Sequence, residues 1–150
     1  MTRRVVVTGM AGITAMGQEW PEIEARMRAG ETGTRAIEDW VRLKDLTCKV
    51  GAPAAWFKHE GFYPRQKGRS MGRVSIMAVD SAERALKHAG LLDDPVLKSG
   101  RAGVACGSSF GSTAPIRDFV AFLDTGKDGA LNATSYIRMM SHTTPLHIAV

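Results

Sequence analysis

The chain has 150 residues, of which 44% are hydrophobic and 23% charged, proportions typical of one globular domain. Its two cysteines are too few for a disulfide framework, and without a C-x-x-C pair structural zinc is not expected, so a reducing cytoplasm is the expected compartment. The net charge of +5 suggests an acidic partner, but the chain has no basic stripe interleaved with aromatic residues that would favour nucleic acid, and no apolar run long enough to cross a membrane.

The first third of the chain predicts one strand and one helix. Residues 3–8, RRVVVT, predict a buried strand because β-branched residues follow one another without alternation. After a glycine-punctuated loop, residues 19–30 predict a helix, with Pro21 near its start and Gly30 after its end. Residues 31–68 show no sustained period, which indicates a long excursion that packs on the body of the protein.

The clearest helix is predicted over residues 71–90 and ends at Gly90. Its apolar residues form one narrow stripe: Met71, Val74, Ala78, Ala82, Ala85 and Ala89. The opposite face is predicted to be charged, with the i,i+4 pairs Asp80/Arg84 and Glu83/Lys87. Since alanine allows a backbone to approach closely, this helix is expected to pack tightly on a sheet or on a second helix.

The last third predicts a short strand and further helices. Residues 101–107 predict a second strand, and residues 112–126 a helix with Ser112 or Thr113 as N-cap and Gly126 as its stop. Residues 135–150 are predicted to be helical or extended. They end without a cap or a polar tail, the pattern expected of a chain cut within an element.

The stretch 103–112, GVACGSSFGS, contains two possible nucleophiles. Ser109 lies in a G-x-S-x-G frame between a predicted strand and a predicted helix, the setting of a hydrolase nucleophile elbow. Too few residues follow it for the acid and base loops of such a fold, so a tight glycine-rich turn is the favoured interpretation. Cys106 has no flanking base or cation to activate it and, like Cys48, is predicted to be a buried structural residue.

Two further patterns concern metals and anions. His142 and His147 are five residues apart and do not share a helix face as i,i+4 ligands would, so no metal site is expected. The segment 64–73, PRQKGRSMGR, concentrates four cations: Arg65, Lys67, Arg69 and Arg73. Such a cluster is usually a solvated face, and the alternative is a docking surface for a phosphate or an acidic protein.

Three ordered segments resemble the β-ketoacyl-acyl-carrier-protein synthases, condensing enzymes of the thiolase superfamily. Residues 3–17, RRVVVTGMAGITAMG, are similar to the family's opening strand and loop. Residues 69–91 resemble its Arg-x-Met-Asp-Arg-Phe helix start, with Gly72 and Val74 in place of the Asp and the Phe. Residues 103–112 resemble its Gly-Val-x-x-Gly-Ser-Gly-x-Gly-Gly strand and turn, with Ser109 at a glycine position.

The resemblance implies an α/β fold over residues 1–150, the N-terminal part of the five-layered αβαβα thiolase-like architecture, incomplete in this chain. It implies that Phe110 borders the acyl chain of the substrate and that Ser109 is not a nucleophile. The family's catalytic cysteine and two histidines are expected to lie beyond this sequence. No residue of the chain is therefore expected to be catalytic, and no metal is expected.

The implied function is that of a 3-oxoacyl-[acyl-carrier-protein] synthase, a decarboxylative Claisen condensation of an acyl thioester with malonyl-carrier protein in fatty-acid or polyketide synthesis. The implied partner is the acidic acyl carrier protein, docked on Arg65, Lys67 and Arg69. No cofactor is implied beyond the 4′-phosphopantetheine arm that this partner carries, and a homodimer is expected, with neither nucleic acid binding nor membrane insertion. The alternative is a non-catalytic partner subunit of the chain-length-factor type, or an inactive fragment.

Overall fold

The computed structural model describes residues 4–150, which divide into two units: residues 11–58, and residues 4–10 together with residues 59–150. The first unit contains α1 (Trp20–Arg28), β1 (Arg35–Ala36), α2 (Glu38–Val41) and β2 (Val50–Gly51). The second unit contains α3 (Arg65–Gly68), α4 (Arg73–His88), a 3-10 helix (Pro95–Lys98), α5 (Ala114–Thr125), α6 (Ser135–Met139) and α7 (Thr143–Ala149).

The first unit is built from short elements around α1. Pro21 lies in the first turn of this helix, where its missing N–H costs nothing, and Gly30 follows the helix end, which confirms the predicted bounds. The strands β1 and β2 pair antiparallel, with Arg35 opposite Gly51. Within residues 31–68, where the sequence shows no sustained period, the helices α2 and α3 have four residues each. The packing of this stretch on the body of the protein stays a prediction.

The end of α4 confirms the sequence prediction in detail. Gly90 adopts a φ of 70°, which favours glycine, and its N–H donates to the carbonyl oxygen of Lys87 at 3.1 Å. The N–H of Leu91 donates to the carbonyl oxygen of Leu86 at 2.9 Å. These two bonds form a Schellman motif, which satisfies carbonyl groups that the helix itself leaves without partners.

The buried face of α4 differs from the predicted alanine stripe. Its buried residues are Ser75, Ile76, Val79 and Asp80. Helix α7 packs against this face, where the hydroxyl oxygens of Ser75 and Thr144 lie 3.3 Å apart. The prediction that Asp80 lies on the charged face opposite the buried stripe is wrong, since Asp80 is buried together with Ile76 and Val79.

The alanines instead receive a backbone segment at the C-terminal end of α4. Gly9 lies so close that an added Cβ would meet the carbonyl oxygen of Ala85 and stand 2.9 Å from the Cβ of Ala89. The next residue, Met10, donates its N–H to Nδ1 of His88 at 3.1 Å. The expectation that the alanine stripe permits close backbone approach is confirmed at this end.

The two predicted strands are not formed within residues 4–150. Arg3 lies outside the described residues; residues 4–8 pair with no described segment, and Val5 is 96% exposed. Residues 101–107 are likewise exposed and unpaired. Strands depend on hydrogen bonds to a neighbouring strand, and the described pairings join only β1 with β2 and Thr14 with Gly17.

Helices follow where the sequence indicates them after residue 110. Helix α5 spans Ala114–Thr125 and stops at Gly126, as predicted. Of the two alternatives for residues 135–150, the helical one is confirmed by α6 and α7.

Replacing Gly9 with alanine tests the close approach to α4. We expect Gly9→Ala to lower the free energy of unfolding by about 1–3 kcal/mol, because the added methyl group meets backbone atoms that cannot move aside. Urea denaturation measures the change. The matched control is Gly103→Ala, where an added Cβ meets nothing within 4 Å and the expected change is below about 0.5 kcal/mol. Equal stability of the two variants would contradict the packing described for Gly9.

Candidate functional site

The glycine-serine turn at residues 107–112 passes from solvent into the interior of the second unit. Residues 107–110 are exposed, and the Phe110 side chain is 57% exposed. Ser108 Oγ donates to the carbonyl oxygen of Phe110 at 2.8 Å, which folds the turn on itself. Gly111 and Ser112 are buried. The turn therefore presents Phe110 outward while its last two residues are held inside.

Ser112 is the residue that fixes this turn. Its hydroxyl oxygen accepts a hydrogen bond from the Val74 N–H at 3.1 Å, and its own N–H donates to the carbonyl oxygen of Arg138 at 2.9 Å. Beside it, a Cβ added to Gly111 would meet the backbone of Met139. The turn is thus clamped between the start of α4 and the end of α6.

The capping role of Ser112 corrects a sequence prediction. Ser112 or Thr113 was expected to cap α5, the helix that follows directly. Thr113 does occupy the N-cap position of α5, but it makes no side-chain capping bond. The Ser112 hydroxyl caps α4 instead, at a helix 38 residues away in sequence. Local spacing gives no signal for such a contact.

A cavity of about 370 Å³ lies beside the clamped turn. Gly72, Gly111 and Ser112 line it, and Arg73 reaches it with Nη1 3.5 Å from Nδ1 of His59. Phe110 is not among the described residues that line it. The acidic Glu60 also borders the cavity, so its lining carries both signs of charge and favours no single ligand.

The basic cluster is divided by its contacts. Lys67 Nζ lies 2.7 Å from Glu83 Oε1 of α4 and 4.3 Å from the centroid of the Tyr63 ring. Tyr63 donates its hydroxyl to Glu83 Oε2 at 2.7 Å. Burial and this bond to Glu83 raise the pKa of Tyr63 well above its usual value. The predicted Glu83/Lys87 pair is therefore replaced by a link from α4 to Lys67 and Tyr63.

Arg65 and Arg69 differ from Lys67 in their contacts, and their side chains face solvent. Both are exposed, and neither forms an ion pair within residues 4–150. They are four residues apart, Arg65 at the start of α3 and Arg69 at its C-cap, and the Arg69 N–H donates to the carbonyl oxygen of Arg65 at 3.0 Å, so they lie on the same side of this helical turn. Arg73, the fourth cation, is half-buried at the start of α4 and belongs to the cavity wall.

The remaining candidates are placed as follows. Cys48 and Cys106 are both exposed, so the prediction that they are buried is wrong. Cys106 lies on the unpaired segment 101–107, where no second strand covers it. Ser109 is exposed on the turn. Within residues 4–150 no group of three His, Cys, Asp or Glu side chains converges as metal ligands would, and no described helix is long and apolar enough to cross a membrane.

His147 is a titratable residue that sequence reasoning did not assign to this region. Its Nε2 lies 3.1 Å from Ser70 Oγ, while the buried Nδ1 has no hydrogen-bond partner. Burial lowers the pKa of the imidazole, because a charged ring loses hydration there. The contact ties α7 to the loop between α3 and α4.

Comparisons with known proteins identify relatives along the whole chain. The family model described as Beta-ketoacyl synthase, N-terminal domain, matches residues 2–150. The Granaticin polyketide putative beta-ketoacyl synthase 1 of Streptomyces violaceoruber is 31% identical over 141 residues, 93% of this chain and 33% of that protein. The 3-oxoacyl-[acyl-carrier-protein] synthase 1 of Haemophilus influenzae is 28% identical over 110 residues, 73% of this chain and 26% of that protein.

Solved structures agree with the family model. The crystal structure of a Beta-ketoacyl synthase from Burkholderia phymatum STM815 superposes with a TM-score of 0.84 and 44% identity, covering 99% of this chain and 36% of that one. The ishigamide ketosynthase/chain length factor shares the fold, with a TM-score of 0.69 at 24% identity. The chain spans about a third of the length of these relatives. The expected fold, an incomplete thiolase-like α/β domain, is confirmed.

The lowered pKa of His147 predicts the sign of a pH effect on stability. The unfolded chain binds a proton at His147 near pH 6.5, whereas the folded chain does so only at lower pH. This residue's contribution is therefore fully present above about pH 6.5 and is lost as pH falls. We expect His147→Asn to reduce the loss of unfolding free energy between pH 7 and pH 5, measured by urea denaturation. The exposed His142, replaced in the same way, serves as control, and identical pH profiles for the two variants would contradict the assignment.

Proposed function

The chain belongs to the β-ketoacyl synthase family, and on this basis we propose that it is the N-terminal domain of a 3-oxoacyl-[acyl-carrier-protein] synthase. The proposed reaction is the decarboxylative Claisen condensation of an acyl thioester with malonyl-carrier protein, in fatty-acid or polyketide synthesis. The observation that carries the proposal is the family match over residues 2–150. The proposed assembly is a homodimer.

The proposed chemistry divides between this domain and the rest of such an enzyme. A cysteine thiolate at a helix N-terminus would take the acyl group from the carrier protein, because the helix dipole stabilises negative charge there. Two histidines would then assist the decarboxylation of malonyl-carrier protein, and the resulting carbanion would attack the thioester. We propose no catalytic residue in this domain, whose role is to bind the partner and to shape the acyl pocket.

The proposed docking surface consists of Arg65 and Arg69, with Lys67 beside them. Two exposed guanidinium groups, at the start and at the C-cap of α3, present five donors each to carboxylates or to a phosphate. Lys67 differs, because Glu83 compensates its charge at 2.7 Å. We therefore assign the attraction of the acidic carrier protein and its phosphopantetheine phosphate mainly to the two arginines, and a structural role to Lys67.

A non-catalytic partner subunit of the chain-length-factor type remains the second proposal, since the turn and the docking surface would serve it equally. The two differ in one measurement. An enzyme that contains this domain and is acylated on a cysteine by acyl-carrier protein supports the synthase, whereas the same protein without acylation, but with binding, supports the partner subunit.

Charge reversal tests the docking surface. In the condensing enzyme that contains this domain, we expect Arg65→Glu with Arg69→Glu to weaken carrier-protein binding and to flatten its salt dependence. Exposed ion pairs contribute about 0.2–1 kcal/mol each, so the double variant is used rather than a single one. Binding is measured at low and at physiological ionic strength, since rim charges act through the association rate and are screened by salt.

The matched control for this experiment reverses two exposed cations elsewhere, Arg117→Glu with Lys127→Glu, which should leave binding unchanged. Turnover of a small acyl thioester without carrier protein should also stay constant in both double variants. If that turnover falls together with carrier-protein binding in the Arg65/Arg69 variant, the cluster is structural and the docking assignment is wrong.

Phe110 is proposed, from the family resemblance, to limit the acyl pocket of the complete enzyme; within residues 4–150 it is 57% exposed and does not line the cavity beside the turn. We expect Phe110→Ala to shift the ratios of kcat/KM toward longer acyl chains in the complete enzyme. The control is Phe119→Ala, another exposed aromatic residue, on α5. An unchanged acyl-chain profile for Phe110→Ala would remove this residue from the pocket wall.

A further inference from the structure

The first turn of α4 lacks a capping side chain of its own. A helix leaves its first N–H groups without partners inside the helix, and the residue at the N-cap position normally accepts one of these bonds. In α4 that position is Gly72, which has no side chain to do so. The Val74 N–H donates instead to Ser112 Oγ at 3.1 Å, and Ser112 is only 6% exposed. The cap is therefore made by another segment, on the wall of the cavity beside the turn.

Gly72 and Ser112 are also sterically linked. A Cβ added to Gly72 would stand 2.6 Å from the Cβ of Ser112 and still closer to its hydroxyl oxygen. A side chain at position 72 and a hydroxymethyl group at position 112 therefore exclude each other. The glycine is needed for space rather than for an unusual φ, since its backbone is extended with φ −87° and ψ 175°.

A second pair of residues could satisfy the same helix start. Aspartate is among the strongest N-cap residues, and a glycine at position 112 would remove the serine atoms that an added Cβ at position 72 meets. The cap would then stand on the helix itself rather than on the facing turn.

We propose that Ser112 is a positioning residue that takes over the cap of α4 and thereby fixes the turn that carries Phe110. Its hydroxyl binds α4 and its N–H binds the carbonyl oxygen of Arg138, so one residue joins two helices to the turn. Phe110 is two residues away along this clamped chain. The inference deepens the proposed function, and its selectivity part rests on the proposed role of Phe110.

Three variants of the condensing enzyme that contains this domain test the proposal: Ser112→Gly, Gly72→Asp and the double variant. Hydrogen exchange of the amides in the first turn of α4 is followed by mass spectrometry. We expect Ser112→Gly to speed exchange of the Val74 amide roughly five- to tenfold, the effect of losing one typical cap. Gly72→Asp alone should lower the thermal midpoint because of its clash with Ser112.

The double variant provides the decisive readout. We expect it to restore both slow exchange and the thermal midpoint, because the introduced carboxylate caps α4 in space vacated by the serine. Ser109→Gly, at an exposed serine of the same turn, is the control and should leave exchange unchanged. If the effects of the two single substitutions simply add in the double variant, the proposal that either residue can supply the cap of α4 is wrong.

Acyl-chain profiles of the same variants separate this inference from the proposed function. We expect Ser112→Gly to shift the profile in the same direction as Phe110→Ala, with recovery in the double variant. A shift by Phe110→Ala without one by Ser112→Gly would overturn the positioning role. A further outcome is that neither variant shifts the profile while slow hydrogen exchange is still restored in the double variant. In that case the pocket role proposed for Phe110 is wrong, and the capping of α4 by Ser112 is supported.

Discussion

The hydrogen bond from the Val74 N–H to the Ser112 hydroxyl is the contact on which the arrangement of the second unit depends. It closes the start of α4, the longest helix described, with a residue from the turn that precedes α5. Loss of an N-cap bond costs about 0.5–2 kcal/mol, so the turn cannot leave the start of the helix without a penalty of that order. The same hydrogen bond therefore holds the turn in position and caps the first helical turn of α4.

Other segments of the chain contact α4 along its length, and each does so through a different kind of interaction. Helix α7 covers its buried face around Ser75 and Thr144, and the Gly9 backbone lies against its terminal alanines. On its outer side Glu83 holds Lys67 and Tyr63, which attaches α3. Ile76 and Val79 of α4 are buried as well, so hydrophobic packing, close backbone contacts and polar bonds act together on this helix.

The sequence predicts those features that depend on neighbouring residues. Helix ends at Gly30, Gly90 and Gly126 are correct because proline and glycine act within one turn of their own position. The family and the fold can also be predicted from the sequence, because three short motifs occur in the order that the family has. The predicted strands are absent from residues 4–8 and 101–107 for the opposite reason, because a strand requires a partner that its own residues do not specify.

The site shows the same division between local and distant signals. Charge spacing identifies the cluster at residues 65–73, but it cannot show that Glu83 compensates Lys67 and leaves the arginines exposed. Likewise, a serine before a helix predicts a cap for that helix, whereas Ser112 serves α4. Gly72 at the N-cap position of α4 has no side chain to form the cap, but the spacing of the sequence does not indicate which residue replaces it.

The two proposed roles of the domain, partner binding and pocket shape, involve segments that contact α4 at different positions along its axis. Val74 holds the turn of Phe110 in the first turn of α4, and Glu83 holds Lys67 two and a half turns later. At 1.5 Å per residue these points are roughly 13 Å apart along the helix axis. The two points are also linked through α6: Thr134, at its N-cap, donates its hydroxyl to the carbonyl oxygen of Arg69, and the Arg138 carbonyl oxygen accepts from the Ser112 N–H. The turn and the end of α3 therefore share a second neighbour besides α4, and the two proposed roles depend on the same frame of helices.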